Sequence, residues 1–342
     1  MTNAHRFVAI LVSTLLFAAC SREPAAPPPE PKAAAPAGKS WPEFVDAFIE
    51  ARMTADPYFA VQAGRHEFDG KMPDWSRAAI EADIAQTRRF LDELRQHDAA
   101  KLNERRRFER DYLEWVMERQ IFWDATAEQP FRNPAWYLDR LDPSMYLERE
   151  YAPLPKRLEG YLGYARALPA LARNIRENLQ TPLPKAFIER GAAGFAGYAT
   201  FFRNEMPAIF AGLGDEKLKS DLTTATAASA QAMDELATWL EAQRSTGTDG
   251  FALGSAKFSE MLRETERIDI PLEELELAGR QDLARNMAAL KEACAAYAPK
   301  AGLAACVNKM RADKPTGGSV EGARAQLKEL RQFVIDRKIV TI

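Results

Sequence analysis

The stretch KRLEGYLGYARALPALARNIRENL (156–179), TPLP (181–184), KAFIERGAAGFAGYATFFRNEMPAIF (185–210), GLG (212–214) and EKLKSDLTTATAASAQAMDELATWLEAQR (216–244) decides the fold. Long helical runs, Lys156 to Leu179, Lys185 to Phe210 and Glu216 to Arg244, are separated by Thr181-Pro182-Leu183-Pro184 and by Gly212-Leu213-Gly214, the residue types that punctuate a helix most strongly. Connections this short imply antiparallel neighbours. No strand of any length is evident before the β-branched tail Ile339-Val340-Thr341-Ile342, which has the composition of a strand and no partner for one. The expected class is all-α: a multi-helix bundle of long antiparallel helices with little or no sheet.

Upstream, Ser40-Trp41-Pro42-Glu43 has the serine and the glutamate three residues later of a capping box, and Phe44, Ala47, Phe48 and Ala51 follow at helical spacing. The folded domain starts here. Asp56-Pro57 interrupts, a short apolar segment runs from Tyr58 to Ala63, and Gly64 stops it before the polar loop Arg65 to Trp75. Ser76 caps a second helix, Arg77 to His97, with Ile80, Ile84, Leu91 and Leu94 in one stripe beside Phe90. In the next, Glu104 to Asp124, Phe108, Tyr112, Trp115, Arg119 and Phe122 share a face with Leu113, Val116, Gln120 and Trp123 beside it, so this helix should be buried over a wide arc. Its aromatics could line a ligand groove, but stripes at this spacing are more often core. Gln129 to Pro155, studded with prolines, tryptophan and tyrosines, reads as a long ordered connection with short helical turns. Beyond Ser245 to Gly250 come helices near Ser255 to Glu266, Leu272 to Tyr297 and Gly302 to Arg311, then the Gly317-Gly318 loop and a last helix to about Asp336.

The other end reads as an export signal. His5 and Arg6 precede the apolar stretch Phe7 to Ala19, which is too short to span a bilayer and stops at Cys20. Leu16-Phe17-Ala18-Ala19-Cys20 resembles the bacterial lipobox, so residues 1–19 are expected to be a lipoprotein signal peptide and Cys20 the lipidated residue. Residues 20–39, rich in proline and alanine, make a semi-rigid spacer from the membrane. Ser21 rather than Asp after the cysteine resembles an outer-membrane destination, with the domain facing the periplasm, in a two-membrane bacterium. Acyl chains contribute roughly 0.8 kcal/mol per buried methylene, so several make a lasting anchor. The membrane is therefore the first expected partner.

The formal charge of -3, with no basic block longer than Arg105-Arg106-Arg107, leaves nucleic acid no electrostatic footprint. Besides Cys20 there are only Cys294 and Cys306, which could pair across the Tyr297 to Gly302 turn or stay as two separate buried thiols. Past His5, the only imidazoles are His66 and His97. His66-Glu67 invites comparison with a metallopeptidase pair, but Asp69 and Gly70 stand where the second histidine would be needed. No Gly-x-Ser-x-Gly elbow occurs, and Gly191 to Gly197 and Gly212 to Gly214 lack the Lys-Ser/Thr of a phosphate loop. Glu273, Glu274 and Glu276 sit in the first turns of a helix, where its dipole favours acids. No catalytic, cofactor-binding or metal-binding residue is assigned within this chain.

Several segments together resemble the bacterial domain of unknown function 885 (DUF885) family. They include Asp56-Pro57, Gly64-Arg65-His66-Glu67-Phe68-Asp69-Gly70, Pro73-Asp74-Trp75-Ser76, Pro155-Lys156-Arg157-Leu158, Asn174-Ile175-Arg176-Glu177-Asn178-Leu179 and Leu253-Gly254-Ser255-Ala256-Lys257-Phe258. Leu272-Glu273-Glu274-Leu275, Gly279-Arg280 and Ala325 to Ile342 follow in family order, so the resemblance covers 40–342. Full-length relatives are similar to helical zinc metallopeptidases of the gluzincin kind, with the zinc-binding His-Glu motif in a C-terminal half beyond the matching segment. The resemblance thus implies a C-terminally truncated domain, the N-terminal wall of a cleft acting on peptides, inactive alone. Zinc is implied only for the full-length relatives. The missing half or a peptide substrate would be its partner. The alternative is a non-catalytic helical lipoprotein that binds a protein or peptide at the envelope. A half-enzyme predicts an exposed apolar patch, a stand-alone module a closed core.

Overall fold

The computed structural model describes residues 39–342. The expected signal peptide, the lipidation of Cys20 and nearly all of the Pro/Ala spacer lie outside the described residues. In chain order the helices are α1 (Trp41–Ala55), α2 (Pro57–Gln62), α3 (Arg77–Gln96), α4 (Glu104–Ile121), α5 (Gln129–Arg132), α6 (Ser144–Leu147) and α7 (Leu154–Asn178). After them come α8 (Lys185–Asn204), α9 (Met206–Phe210), α10 (Glu216–Ala242), α11 (Ser255–Glu266), α12 (Leu272–Tyr297), α13 (Leu303–Ala312) and α14 (Ser319–Asp336). The fold is all-α, and among the described residues the only extended pairing is an isolated bridge between Pro184 and Thr248.

The larger core is built on α7, α8 and α10. Small residues along α10, Ala225, Ser229 and Ala232, let α7 approach closely, and the Ser229 hydroxyl donates to the Ala165 carbonyl at 2.9 Å. Contacts of α7 with α10 advance together, Tyr161 with Thr226 and Arg176 with Trp239, so these two helices run parallel. Contacts of α8 run the other way, Gly191 against Leu240 and Arg203 against Asp234, so α8 is antiparallel to α10. This is an up-down-up series in which the third helix packs on both of the others. The expected single run Lys185 to Phe210 is two helices. Pro207 has no amide proton for the ladder, and its ring crowds the carbonyl one turn back, so the chain breaks at Glu205 and restarts.

The proline-rich connection folds as α5, a 3-10 stretch Pro134–Leu141 and α6. Its carbonyls cannot all find helical partners, and buried or half-buried tyrosines serve them instead. Tyr137 donates to Pro130 O at 2.7 Å, Tyr164 to Leu141 O at 2.6 Å and Tyr198 to Leu138 O at 2.8 Å. This stretch lies so close to α8 that a Cβ on Gly194 would run into the Leu138 side chain and one on Gly191 into Pro134, which explains those two glycines.

A second, smaller core joins Trp41, Phe44 and Phe48 of α1 to Leu91 and Leu94 of α3 and Met117 of α4. The capping box at its start forms, with the Ser40 amide donating to Glu43 at 2.8 Å. The wide burial expected of α4 is not what the fold provides. Phe108 and Tyr112 are 71% and 51% exposed, because α4 meets α3 along one side and α11 only from about Trp115 onward, where its indole donates to Thr265 O.

The C-terminal helices differ from both cores. Cys294 and Cys306 are joined as a disulfide, Cα atoms 5.7 Å apart, and with Ala298 they form a small buried cluster between α12 and α13. Elsewhere α12 carries Leu283, Met287 and Leu290 exposed, and α14 carries Val320, Leu327, Leu330 and Phe333 exposed. The tail from Ile339 is likewise exposed and forms no strand. Among the described residues no helix is long and apolar enough to cross a membrane.

Candidate functional site

The loop singled out from sequence, Gly64 to Gly70, turns out to pack. His66 lies stacked on Tyr151, ring centroids 3.8 Å apart, with Nδ1 3.2 Å from Asp69 Oδ1. Gly70, at φ +73°, sits against the backbone of Gly160 and Gly163 on α7, and its amide donates to the Tyr146 hydroxyl at 3.0 Å. His97 sits against Trp41 and Phe44 in the smaller core. Asn178 donates to Trp75 O at 2.7 Å and Arg157 to the carbonyls of Tyr146, Leu147 and Ala152, so these motif residues fasten loops to α7. Glu273, Glu274 and Glu276 lie exposed on α12, Glu276 paired with Arg280. None of these groups converges on a common point.

Convergence occurs elsewhere, where α1, α3, α4 and the proline-rich connection meet around a cavity of about 520 Å3. That size suits a small-molecule site. Its polar side includes Arg52 of α1, ion-paired with Asp56, Asp83 of α3, Arg119 and Gln120 of α4, Asp124, and Arg140 of the 3-10 stretch, with Asp74 and Gln129 also on the lining, and Trp75, Trp123 and Trp136 wall it. Asp124 lies on a turn of π-helix, Phe122–Thr126, that continues α4, with the Ala127 amide reaching back to Phe122 O at 2.8 Å. Such wide turns interrupt the ordinary ladder and are frequent at functional sites. Lys257 of α11 donates to Thr126 O at 2.9 Å and holds the turn from behind.

Trp136 organises the charges. Its indole N–H donates to Asp124 Oδ1 at 3.0 Å, and the Arg140 guanidinium lies 3.8 Å over its ring while donating to its carbonyl. Asp83 accepts from the Gln120 amide at 2.9 Å. Burial pushes the Asp124 carboxyl up to about 6 although Arg140 and the indole N–H pull it down. Burial likewise raises Asp83, against Arg52 and Gln120, and draws Arg140 below its ordinary value, against Asp124. The cavity can therefore offer a proton acceptor, a proton donor and a cation side by side, with a titration near neutrality.

Asp83, Asp124, Arg52 and Arg140 were not singled out by sequence reasoning. The available signal was an acid inside an apolar pattern, Asp83 beside Ile84 and Asp124 after Trp123. The groove considered for the face of Glu104 to Asp124 exists at its C-terminal end, where Val116, Arg119, Gln120 and Trp123 line the cavity.

Among the described residues no group of three or more His, Cys, Asp or Glu side chains is arranged to hold a metal ion.

Taken together, the fold and cavity define an all-helical protein with a charged, tryptophan-walled cleft beside its main core. The model of the family described as "Bacterial protein of unknown function (DUF885)" matches residues 57–341, and the chain belongs to that family. Among solved structures it is similar to a "putative lipoprotein of unknown function" from Shewanella oneidensis, at 18% sequence identity and a TM-score of 0.68. The likeness covers 89% of this chain and 59% of that one, so the chain spans about three fifths of the length of that protein. No curated protein matches.

Proposed function

We propose that this chain is a lipid-anchored envelope protein whose helices form one wall of a peptide-hydrolysing cleft, the zinc centre being carried by polypeptide outside the described residues. The observation that carries this reading is the unpartnered apolar surface of α12 and α14, where leucines such as Leu283 and Leu327 are 63% exposed. Apolar rows on amphipathic helices are a surface for another polypeptide rather than for water. The solved relative supports the reading in that about two fifths of its chain has no counterpart here. A zinc centre would supply Lewis acidity and a water of lowered pKa. The residues of this chain would bind and orient a substrate against it, and the chain alone would not cleave peptides.

Cys20, at the end of an apolar stretch too short to span a bilayer, would carry the lipid, and the following prolines would hold the domain off the membrane. Ser21 after that cysteine supports an outer-membrane destination facing the periplasm. Cys20→Ala should abolish incorporation of labelled fatty acid.

The decisive test reads the source DNA beyond the Ile342 codon, in frame and in the adjacent frames. A His-Glu-x-x-His sequence there supports the hydrolase reading, and a stop with no such frame nearby overturns it. The second reading, a non-catalytic lipoprotein binding a protein or peptide, would then stand, favoured by the closed core of α7, α8 and α10.

A further inference from the structure

Charged groups taken out of water are normally paired, since an isolated buried charge costs several kcal/mol after relaxation. The cleft departs from that rule. Among the described residues Asp83, Asp124 and Arg140 have no ion-pair partner within 4.0 Å, although all three line one cavity. Asp124 is only 7% exposed, and of its two oxygens Oδ1 takes the Trp136 N–H while Oδ2 has no partner. Oδ2 is not sealed in, because among the described residues the one fully enclosed side-chain atom without a hydrogen bond is Glu118 Oε2, which is ion-paired with Arg267. It therefore faces the cavity. Arg140 donates from Nη1 to the Trp136 carbonyl, which leaves Nε and Nη2 free.

Trp136 is the reason these charges do not satisfy each other. The guanidinium lies over the face of the indole and the carboxylate lies at its edge, so one rigid ring holds cation and anion apart at fixed places. Asp83, fixed by Gln120, adds a second acceptor on the opposite helix. A ligand that relieves all three must bring a carboxylate to the arginine and an ammonium to the aspartates, close enough together to fit around one indole. Charge-assisted hydrogen bonds of this kind are roughly twice as strong as those a neutral hydroxyl could make.

We propose that the cavity walled by Trp136, Asp124, Asp83 and Arg140 binds a small zwitterion, of the class of a free amino acid or dipeptide. The assignment needs no second polypeptide and stands apart from the hydrolase reading.

The test uses the full chain and its own tryptophans. Intrinsic fluorescence is titrated with alanine, alanyl-alanine, N-acetyl-alanine, alanine amide and glucose, with calorimetry on any that respond. The expected result is saturable binding of alanine or alanyl-alanine, which of the two separating the amino acid from the dipeptide, and at least tenfold weaker binding of both singly blocked forms. Asp124→Asn should weaken the zwitterion at least tenfold while leaving the circular dichroism spectrum unchanged. No binding of either zwitterion, equal binding of the blocked forms, or preferential binding of glucose would each overturn the proposal. The ligand panel on the unaltered protein decides the matter even if a variant misfolds.

Discussion

Leu240 and Leu283 are both leucines on long amphipathic helices, yet one is fully buried against α8 and the other is 63% exposed. The region of α7, α8 and α10 and the region of α12 to α14 share helical pattern and differ in partner. In the C-terminal region the helix stands on local terms. It is rich in Ala, Leu, Glu, Arg and Gln, and short-range pairs such as Glu276 with Arg280 and Glu321 with Arg324 support it. In the core region it stands on packing, which tolerates the poor helix formers Gly191 and Gly194 because their neighbours need the space. A helical pattern thus fixes the local conformation, and only a facing surface fixes burial.

The sharpest way to break this comparison is to truncate one side chain on each side of it. Phe195, fully buried on α8, should cost about 3–5 kcal/mol when changed to alanine, read from urea unfolding. If Phe195→Ala and a surface change on α14 cost the same, the two regions are not distinct.

Reducing the Cys294–Cys306 disulfide should be next in size but confined in place. Closing a loop of this length is worth about 3 kcal/mol to the unit that contains it. Hydrogen exchange should show α12 and α13 losing protection under reductant while α7, α8 and α10 keep theirs. Loss of protection in both regions together would mean that they unfold as one unit.

Asp124→Asn should stabilise. The folded carboxyl titrates at about 6 and the unfolded one near 3.8, so between those values the folded state holds the extra proton. The stability associated with this group is therefore greatest below about pH 4, falls as pH rises through 6 and is flat above. Asparagine keeps an oxygen for the Trp136 N–H and removes the buried charge, a gain of about 1–3 kcal/mol at pH 8 that vanishes at pH 4. Urea midpoints at the two pH values check it; equal midpoints for both proteins at pH 8 would refute the burial argument. Gly194→Ala, which drives a methyl into Leu138, should cost about 1–3 kcal/mol. Smallest of all, Leu327→Ala on α14 should move the same transition by no more than about 0.5 kcal/mol.

Much of the fold was legible in the sequence, because Pro182, Pro184, Gly212 and the caps at Ser40 and Ser76 act locally. The break at Pro207 is legible in principle, but its signal is a single residue inside a long helical run. The exposure of Phe108 was not legible, since it depends on where α11 lies, about 150 residues further on. The cleft was hidden for the same reason. Arg52, Asp83, Asp124 and Arg140 come from separate elements, and nothing in the local pattern of any one of them says that they meet. The motif residues, by contrast, were visible as a set and prove to be fasteners, with Asn178, Arg157 and Gly70 tying loops to α7.

The bond from Lys257 to Thr126 spans 131 residues. An exported chain folds after it has crossed the membrane, so this contact has to be closed across a long stretch of flexible polypeptide, a cost that grows only slowly with its length. Until it closes, the wide turn bearing Asp124 lacks its clasp. A chain cut anywhere between the cavity and α11 would keep every residue that lines the pocket and lose the bond that holds this turn.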